Sequence, residues 1–281
     1  MNGATPAQSS AIKKFRSLHK SGCFLLPNPW DVGTAVYLQH LRFEALATTS
    51  AGVAFTRARA DTTPALPLDE MLAHIREIAQ ATPLPVNADF QSGYADEPEG
   101  VARNVLLCVA TGVAGLSIED NTGKSDAPLY EKRLAVERIR AARRAIDASG
   151  IPVVLTGRCE AWLVGESDPL GVVLDRLVSY AEAGADCLYA PGVTKPAEIE
   201  QIVKAVAPKP VNVLVHGPSA LSVSDLAALG VRRISVGSAL ARVAWGAFIR
   251  AARSIQTTGK FDALADSVPF AEINGVFSKR S

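Results

Sequence analysis

The sequence predicts a single (β/α)8 TIM barrel that takes up residues 1–281. Short apolar segments rich in β-branched residues alternate with longer segments of helical periodicity, and the alternation repeats eight times. This pattern is typical of parallel strands covered by helices on the outside. A doubly wound sheet is the alternative, but no glycine-rich dinucleotide turn follows the first predicted strand. The barrel is therefore the favoured fold.

The predicted strands are short, and most of them end in polar residues. In chain order they are expected at 22–28, 44–49, 84–89, 115–119, 151–156, 186–189, 210–215 and 233–236. In the third strand, Asn87 and Asp89 are two positions apart, so their side chains should point to the same face. The fourth strand leads into Glu119-Asp120 in a similar way.

Helices are predicted between these strands from their apolar periodicity and end signals. A leading helix is expected at 11–20, followed by helices at 32–40, 68–81, 97–111, 131–148, 170–183, 196–206, 222–229 and 238–257. Asp31 and Ser222 are suitable N-caps. The residues after 257 are expected to form a tail, and the arginines at 138, 140, 143 and 144 a solvated helix face.

Composition narrows the class of partner. The net charge of +1 gives no reason to expect nucleic acid or a membrane surface as a partner. No apolar run is long enough to span a bilayer, and residues 1–10 lack the apolar core of a targeting signal. The four cysteines are isolated, so free thiols and a cytoplasmic location are expected.

In a barrel of this kind the working face is built from the carboxyl ends of the strands. The candidate site residues are those at the predicted strand ends: Asn28, Asp31, Thr49, Ser50, Asn87, Asp89, Glu119, Arg158, Glu160, Asn212 and His216. Acids on successive strand ends favour a hard divalent cation such as Mg2+, which binds carboxylate oxygens and keeps waters or substrate oxygens as further ligands.

The strand ends together resemble the isocitrate lyase/phosphoenolpyruvate mutase superfamily. The matching segments are 27–31, 49–53 with Asp61 downstream, 88–89 with Gly93-Tyr94, 117–120, 155–158, 184–186 and 231–237. The resemblance extends from about Phe15 to Ala252. It implies a magnesium-dependent barrel enzyme that acts on small 2-oxo or 2-hydroxy acids. It also implies a homo-oligomer, a dimer or tetramer, in which the eighth helix packs on a neighbouring barrel.

The resemblance also assigns roles by position. It implies that Asp89 and Glu119 hold Mg2+, or alternatively Mn2+, and that Glu119, Asp61 on a gate loop and Arg158 are catalytic. Arg158 would also hold the oxo-acid group, since its planar fork suits a carboxylate. The predicted substrate contacts are Trp30, Thr49, Ser50, Ala51, Gly52, Asn87, Arg158, Glu160 and Asn212. A rim or core aromatic is the alternative for Trp30, and an ion pair with Arg158 is the alternative for Glu160.

Two departures from the superfamily pattern shape the predicted function. Asn87 stands where relatives often have an acid, and residues 121–126, Asn-Thr-Gly-Lys-Ser-Asp, replace the Lys-Lys-Cys-Gly-His signature of the carbon–carbon lyases. We therefore expect an enolate-forming lyase that needs little help from a general acid: an oxaloacetate decarboxylase or a carbon–carbon lyase that releases pyruvate. The alternatives are a phosphonate-processing mutase or hydrolase, and a 2-oxo acid binding protein with little catalysis.

Overall fold

A computed structural model describes residues 3–278 and confirms the predicted barrel. Eight parallel strands form one sheet in the order β1-β8-β7-β6-β5-β4-β3-β2. The strands are β1 Phe24–Leu26, β2 Leu46–Ala47, β3 Val86–Asp89, β4 Gly115–Glu119, β5 Val154–Arg158, β6 Cys187–Tyr189, β7 Val211–Leu214 and β8 Arg233–Ser235. The Ala47 N–H donates to the Pro27 carbonyl at 3.0 Å, which links the segments of β1 and β2.

The helices cover the outside of the sheet, as the alternating pattern predicts. They are α1 Pro6–Leu18, α2 Val32–His40, α3 Ser50–Thr56, α4 Leu68–Ala81, α5 Pro98–Val109, α6 Lys132–Ser149, α7 Pro169–Glu182, α8 Pro196–Val206, α9 Val223–Ala228, α10 Ala239–Thr258 and α11 Phe270–Ser278. A 3-10 helix, Asp262–Leu264, lies between α10 and α11. None of the helices in the described part of the chain is long and apolar enough to cross a membrane.

Four helical segments differ from the prediction. The first helix begins at Pro6, where Thr5 caps it, rather than at residue 11. The segment after β2 forms α3, and the expected tail is helical over Asp262–Leu264 and Phe270–Ser278. Residues 279–281 of that tail lie outside the described range. These segments are short or flank polar residues, so their periodicity is too weak to predict a helix.

Both predicted N-caps are confirmed. The Asp31 carboxylate accepts from the Thr34 N–H at 2.7 Å, and the Ser222 hydroxyl accepts from the Asp225 N–H at 3.2 Å. Each forms part of a capping box, which satisfies donors that the first helical turn leaves open. The Asp31 carboxylate is thus engaged at the start of α2.

The predicted solvated arginine face of α6 is wrong for Arg138 and Arg143. Arg138 is 1% exposed, and its guanidinium donates to the carbonyls of Ser92, Ala95 and Asp96 after β3. Arg143 Nη1 lies 3.1 Å from an Asp186 carboxylate oxygen. Two different segments, 92–96 after β3 and 184–186 before β6, cover these positions of α6, and neither contact is visible in local sequence.

The interior of the barrel is partly polar. Buried Arg233 donates from Nε to Asn212 Oδ1 at 2.9 Å and from Nη2 to Thr156 Oγ1 at 3.0 Å. Its Nη1 lies 3.3 Å from His19 Nε2, on the segment that follows α1. Burial and the nearby Arg233 charge lower the pKa of His19 to about 3, so this imidazole is neutral at physiological pH. The four cysteines are free thiols, as predicted.

Candidate active site

Arg158 lies at the end of β5 and gathers three carboxylates from the strand ends. Its Nε donates to Glu160 Oε1 and lies 3.3 Å from Glu119 Oε2. Its Nη1 lies 3.5 Å from Asp89 Oδ1. The strand register explains the convergence, because Glu119 pairs with Arg158 across β4 and β5 and Asp89 ends the next strand along. The predicted acids and the predicted arginine therefore meet at one place.

This cluster carries three carboxylates around one guanidinium; Glu119 and Glu160 are buried, and Asp89 is partly exposed. Burial raises the pKa of Glu119, against the lowering effect of the Arg158 charge, and the charges of Glu160 and Asp89 raise it further. Burial likewise raises the pKa of Glu160. Burial alone would lower the pKa of Arg158, but the charges of Glu160 and Glu119 raise it above its ordinary value. The excess of negative charge favours a further cation at this site.

The segment after β2 brings the start of α3 to the same carboxylates. The Ser50 N–H donates to Asp89 Oδ2 at 2.9 Å, and the Gly52 N–H donates to the Thr49 hydroxyl at 3.2 Å. Ser50 and Gly52, two of the predicted substrate contacts, thus have their backbone N–H groups engaged within the protein. Ala51 lies between them in the first turn of the helix.

Trp30 supports α3 from outside the carboxylate cluster. A Cβ at Gly52 would lie 2.9 Å from Trp30 Cβ and 2.5 Å from Thr49 Cγ2, so only glycine allows this close packing. Trp30 also lines an apolar groove with α2, α10 and α11. This placement corresponds to the alternative of a rim aromatic, and a substrate contact by Trp30 stays a prediction.

Asp61 lies on the exposed loop between α3 and α4, on the rim of the cluster. Partial desolvation of its carboxylate raises the pKa of Asp61 to about 6, and the Asp89 charge adds to the shift. A hydrogen bond from the Ser50 side chain and the charge of Arg158 oppose it. Asp61 therefore interacts with two residues of the cluster, Asp89 and Arg158, and its role as a gate-loop acid stays a prediction.

A polar cavity of about 50 Å3 lies beneath the cluster, inside the barrel. Asn87 and Asn212 both line it, together with Tyr189 and Arg233. Asn212 donates to the Ser235 hydroxyl at 3.0 Å and accepts from Arg233, so its amide is engaged. Oδ1 of Asn87 is buried and has no hydrogen-bond partner within residues 3–278. An incoming donor such as a water would satisfy it.

Other strand-end candidates serve the scaffold. Oδ1 of Asn28 accepts from the N–H groups of Val236 and Gly237 and so ties the end of β1 to β8. His216 lies in a separate cleft, where its carbonyl accepts from Arg242. Lys124, in the segment 121–126 that replaces the lyase signature, is exposed, and its Nζ lies 3.9 Å from Asp96 Oδ2. The structure does not bring His216 or Lys124 to the carboxylate cluster.

Asp120 is a functional candidate that the sequence reasoning missed. Its buried carboxylate accepts from the Glu160 N–H at 2.8 Å and from the Tyr180 hydroxyl at 2.7 Å, and it lies 3.0 Å from Arg176 Nη1. Asp120 therefore fixes the backbone that carries Glu160. The Glu119-Asp120 pair was a visible signal, but strand alternation turns the second acid away from the barrel interior.

The oxygen donors of the cluster fit a hard divalent cation. Asp89 and Glu119 both direct carboxylate oxygens to the space that Arg158 contacts. No group of three or more His, Cys, Asp or Glu side chains within residues 3–278 is arranged to hold a metal by itself. Mg2+ is compatible with this arrangement, because it is usually held by one or two carboxylates together with waters and substrate oxygens.

Comparison with known proteins identifies the family. The phosphoenolpyruvate phosphomutase family model matches residues 15–256, and the chain belongs to that family within the isocitrate lyase/phosphoenolpyruvate mutase superfamily. An uncharacterised protein of Mycobacterium tuberculosis H37Rv is 33% identical over 264 residues, which cover 92% of this chain and 94% of that protein.

Two relatives with named activities are similar over most of their length. The 2-methylisocitrate lyase of Escherichia coli K12 is 29% identical over 76% of this chain and 73% of that enzyme. The oxaloacetate decarboxylase of Pseudomonas putida GB-1 is 29% identical over 80% of this chain and 78% of that enzyme. A crystal structure of a provisionally assigned lyase/mutase from Burkholderia cenocepacia J2315 aligns with a TM-score of 0.93, 46% identity and 98% coverage of both chains.

Proposed function

We propose that the protein is a magnesium-dependent lyase that acts on small 2-oxo or 2-hydroxy carboxylic acids through an enolate. The observation that carries the proposal is the convergence of Asp89, Glu119 and Glu160 on Arg158 at the carboxyl ends of the strands. The relatives that are a 2-methylisocitrate lyase and an oxaloacetate decarboxylase support the reaction class. Both activities break a carbon–carbon bond next to an oxygen-bearing carbon.

We assign the metal to Asp89 and Glu119, with Mg2+ as the ion and Mn2+ as a substitute. When bound, the cation polarises the oxygen next to the reacting carbon and stabilises the negative charge that develops there. A cation beside Glu119 would also keep that buried carboxylate ionised, because it offsets the burial that raises the pKa. Binding of the ion and substrate should therefore release protons in the pH range where Glu119 titrates.

Arg158 binds the anionic end of the substrate and orients it. Its guanidinium is held in place by the Glu160 carboxylate. Asp120 in turn fixes Glu160 by accepting a hydrogen bond from the Glu160 N–H. The guanidinium carbon also lies 5.1 Å from the Tyr189 ring centroid, on the neighbouring strand. A planar cation fixed on several sides loses little entropy when it binds a carboxylate. Asp61 closes the rim of the site and excludes water from it.

The lack of a cysteine or histidine proton donor in residues 121–126 guides the choice of substrate. These residues contain no cysteine or histidine, so this loop supplies neither group as a proton donor. Decarboxylation of oxaloacetate needs no such donor for bond breaking. The bond between C3 and the terminal carboxylate breaks and CO2 leaves, while the electron pair of the broken bond stays behind and forms the enolate of pyruvate. A proton taken up at C3 then gives pyruvate. Cleavage of a small substituted malate is the second carbon–carbon lyase reaction that fits.

A phosphonate reaction is the rival that a specific observation favours, since the matching family model is that of phosphoenolpyruvate phosphomutase.

The experiment that separates these functions measures pyruvate release, with and without Mg2+, from oxaloacetate, 2-methylisocitrate, 2,3-dimethylmalate and phosphonopyruvate in separate reactions. We expect a magnesium-dependent signal from one of the first three acids. Pyruvate from phosphonopyruvate alone, or its conversion to phosphoenolpyruvate followed by phosphorus NMR, would replace the lyase with a phosphonate enzyme. Binding of all four acids without turnover would leave the role of a 2-oxo acid binding protein, for which the neutral Asn87 is the supporting feature.

We also propose that the protein is a homo-oligomer in which α10 packs on a neighbouring copy. Within the described chain, Ala241 is the one buried residue of this 20-residue helix. Val243 and Phe248 on the same helix are 68% and 60% exposed. Exposed apolar surface of this kind marks a protein interface. A second copy of the chain is the occupant that the superfamily resemblance implies.

A further inference from the structure

Gln91 follows β3 and joins the gate loop to the strands that carry the acids. Its buried Oε1 accepts from the Ala65 N–H at 2.9 Å, and its Nε2 donates to the Thr62 carbonyl at 2.9 Å. The Tyr94 hydroxyl donates to the same Oε1 at 3.2 Å. The Gln91 carbonyl accepts from the Glu119 N–H at 3.0 Å. One residue thus bonds both to the loop and to the backbone of a proposed metal ligand.

The backbone of Gln91 is itself held in an unfavourable conformation. Its φ is +44°, in the left-handed region that residues with a side chain seldom adopt. Such a conformation persists only where the surrounding contacts fix it, and it clusters at functional sites. Here the contacts are the hydrogen bonds that bind the loop on both sides of residues 63 and 64.

The clamped segment begins directly after Asp61, the acid that interacts with Asp89 and Ser50. The loop 121–130 meets the same segment from the other side. A Cβ at Gly123 would lie 2.5 Å from the Thr63 carbonyl oxygen, and Gly123 has a φ of +74°, so the two backbones touch at a position that only glycine allows. The gate loop is therefore bonded to Gln91 and packed against the loop that replaces the lyase signature.

We propose that Gln91 is a positioning residue that holds the gate-loop segment next to Asp61 in place at the rim of the cluster and, through the Gly123–Thr63 contact, couples the loops 57–65 and 121–130 into one cover. The catalytic part of this inference rests on the proposed function. Glutamine suits the task because the clamp needs one acceptor and one donor on the same side chain. Glutamate lacks the donor and would place a negative charge near Asp61, whereas methionine keeps the length and loses both bonds.

Limited digestion of the full-length protein with trypsin tests the clamp without any need for turnover. Arg57 and Arg59 are exposed trypsin sites at the start of the gate loop, whereas Arg103 reports cleavage within α5. For Gln91→Met and Gln91→Glu we expect cleavage at Arg57 and Arg59 to be about tenfold faster, with cleavage at Arg103 unchanged, because only the loop opens more often. The control Gln80→Met removes an exposed glutamine of α4 and should match wild type.

Gly123→Ala gives a second test if a Gln91 variant does not fold. It should accelerate cleavage at Arg57 and Arg59, because the added Cβ pushes the Thr63 carbonyl away. Wild-type cleavage rates in the folded Gln91 variants would overturn the proposal. If the Gln91 variants do not fold, wild-type cleavage rates in Gly123→Ala would overturn it.

For the acid that wild type converts, kcat/KM should also fall about tenfold in Gln91→Met with the urea midpoint retained. Faster cleavage with unchanged kcat/KM would contradict the positioning role. If wild type converts none of the acids, the proposed function fails while the digestion still decides whether Gln91 holds the loop.

Discussion

Nε of Arg158 lies 3.3 Å from Oε2 of Glu119, and the two residues are paired in register across β5 and β4. This contact joins the group proposed to bind the substrate's carboxylate to an acid proposed to hold the metal. It also means that Arg158 partly neutralises a buried carboxylate that would otherwise be costly to ionise.

Arg158→Gln should destabilise the protein more at pH 8 than at pH 5. The loss of the guanidinium leaves Glu119 and Glu160 buried without their cation, which costs about 3–5 kcal/mol in the free energy of unfolding while they are ionised. Both acids already have a raised pKa, and the loss of Arg158 raises it further, so protonation relieves the penalty as the pH falls. Urea denaturation at the two pH values measures the effect. Arg144→Gln, at an exposed position on α6, is the control, and an equal loss at both pH values would contradict the prediction.

The carboxyl of Asp61 should titrate near pH 6 in the metal-free protein. Burial and the Asp89 charge raise its pKa, so Asp89→Asn and added Mg2+ should both lower it. Since the folded pKa lies above the ordinary value of 3.8, the folded state binds this proton more tightly than the unfolded state. The stability that the proton contributes is complete below pH 3.8 and is lost as the pH rises through about 6. Carbon-13 NMR of the labelled carboxyl reads the midpoint. A midpoint near pH 4 in wild type would show that Asp61 lies away from Asp89.

Arg138→Met should lower the free energy of unfolding by about 3 kcal/mol, because three carbonyls after β3 lose a charged donor in a buried place. Arg140→Met is the matched control on the same helix. Arg140 pairs with Glu137 at the surface, so its loss should change stability by no more than about 0.5 kcal/mol. Equal urea midpoints for the two variants would show that the Arg138 contacts contribute nothing to stability.

Sedimentation velocity should show an oligomer whose formation depends on α10. Phe248→Asp and Val243→Asp place a charge on the exposed apolar face of that helix and should shift the protein to smaller species. Leu107→Asp, which adds a charge at an exposed leucine of α5, should leave the assembly unchanged. A monomeric wild type would remove the proposed assembly.

The eight strands and the meeting of Asp89, Glu119 and Arg158 were predictable, because apolar runs locate parallel strands and a closed sheet collects their ends. The clamp by Gln91 and the burial of Arg138 were not, since both depend on loops packing across neighbouring βα units. A local pattern assigns polar residues to solvent unless a distant partner is known. Asp120 was missed for the same reason: its partners Tyr180 and Arg176 come from α7, far along the chain.

The most direct test of the account is the calorimetric binding of oxalate, a planar mimic of the pyruvate enolate, with and without Mg2+. We predict binding that requires Mg2+ in wild type and in the surface control Glu200→Gln, and affinity that is at least about tenfold weaker in Glu119→Gln. Far-ultraviolet circular dichroism of each variant establishes that the fold is retained. Oxalate binding that is independent of Mg2+, or that is unchanged in Glu119→Gln, would contradict the claim that the carboxylates around Arg158 form a metal site.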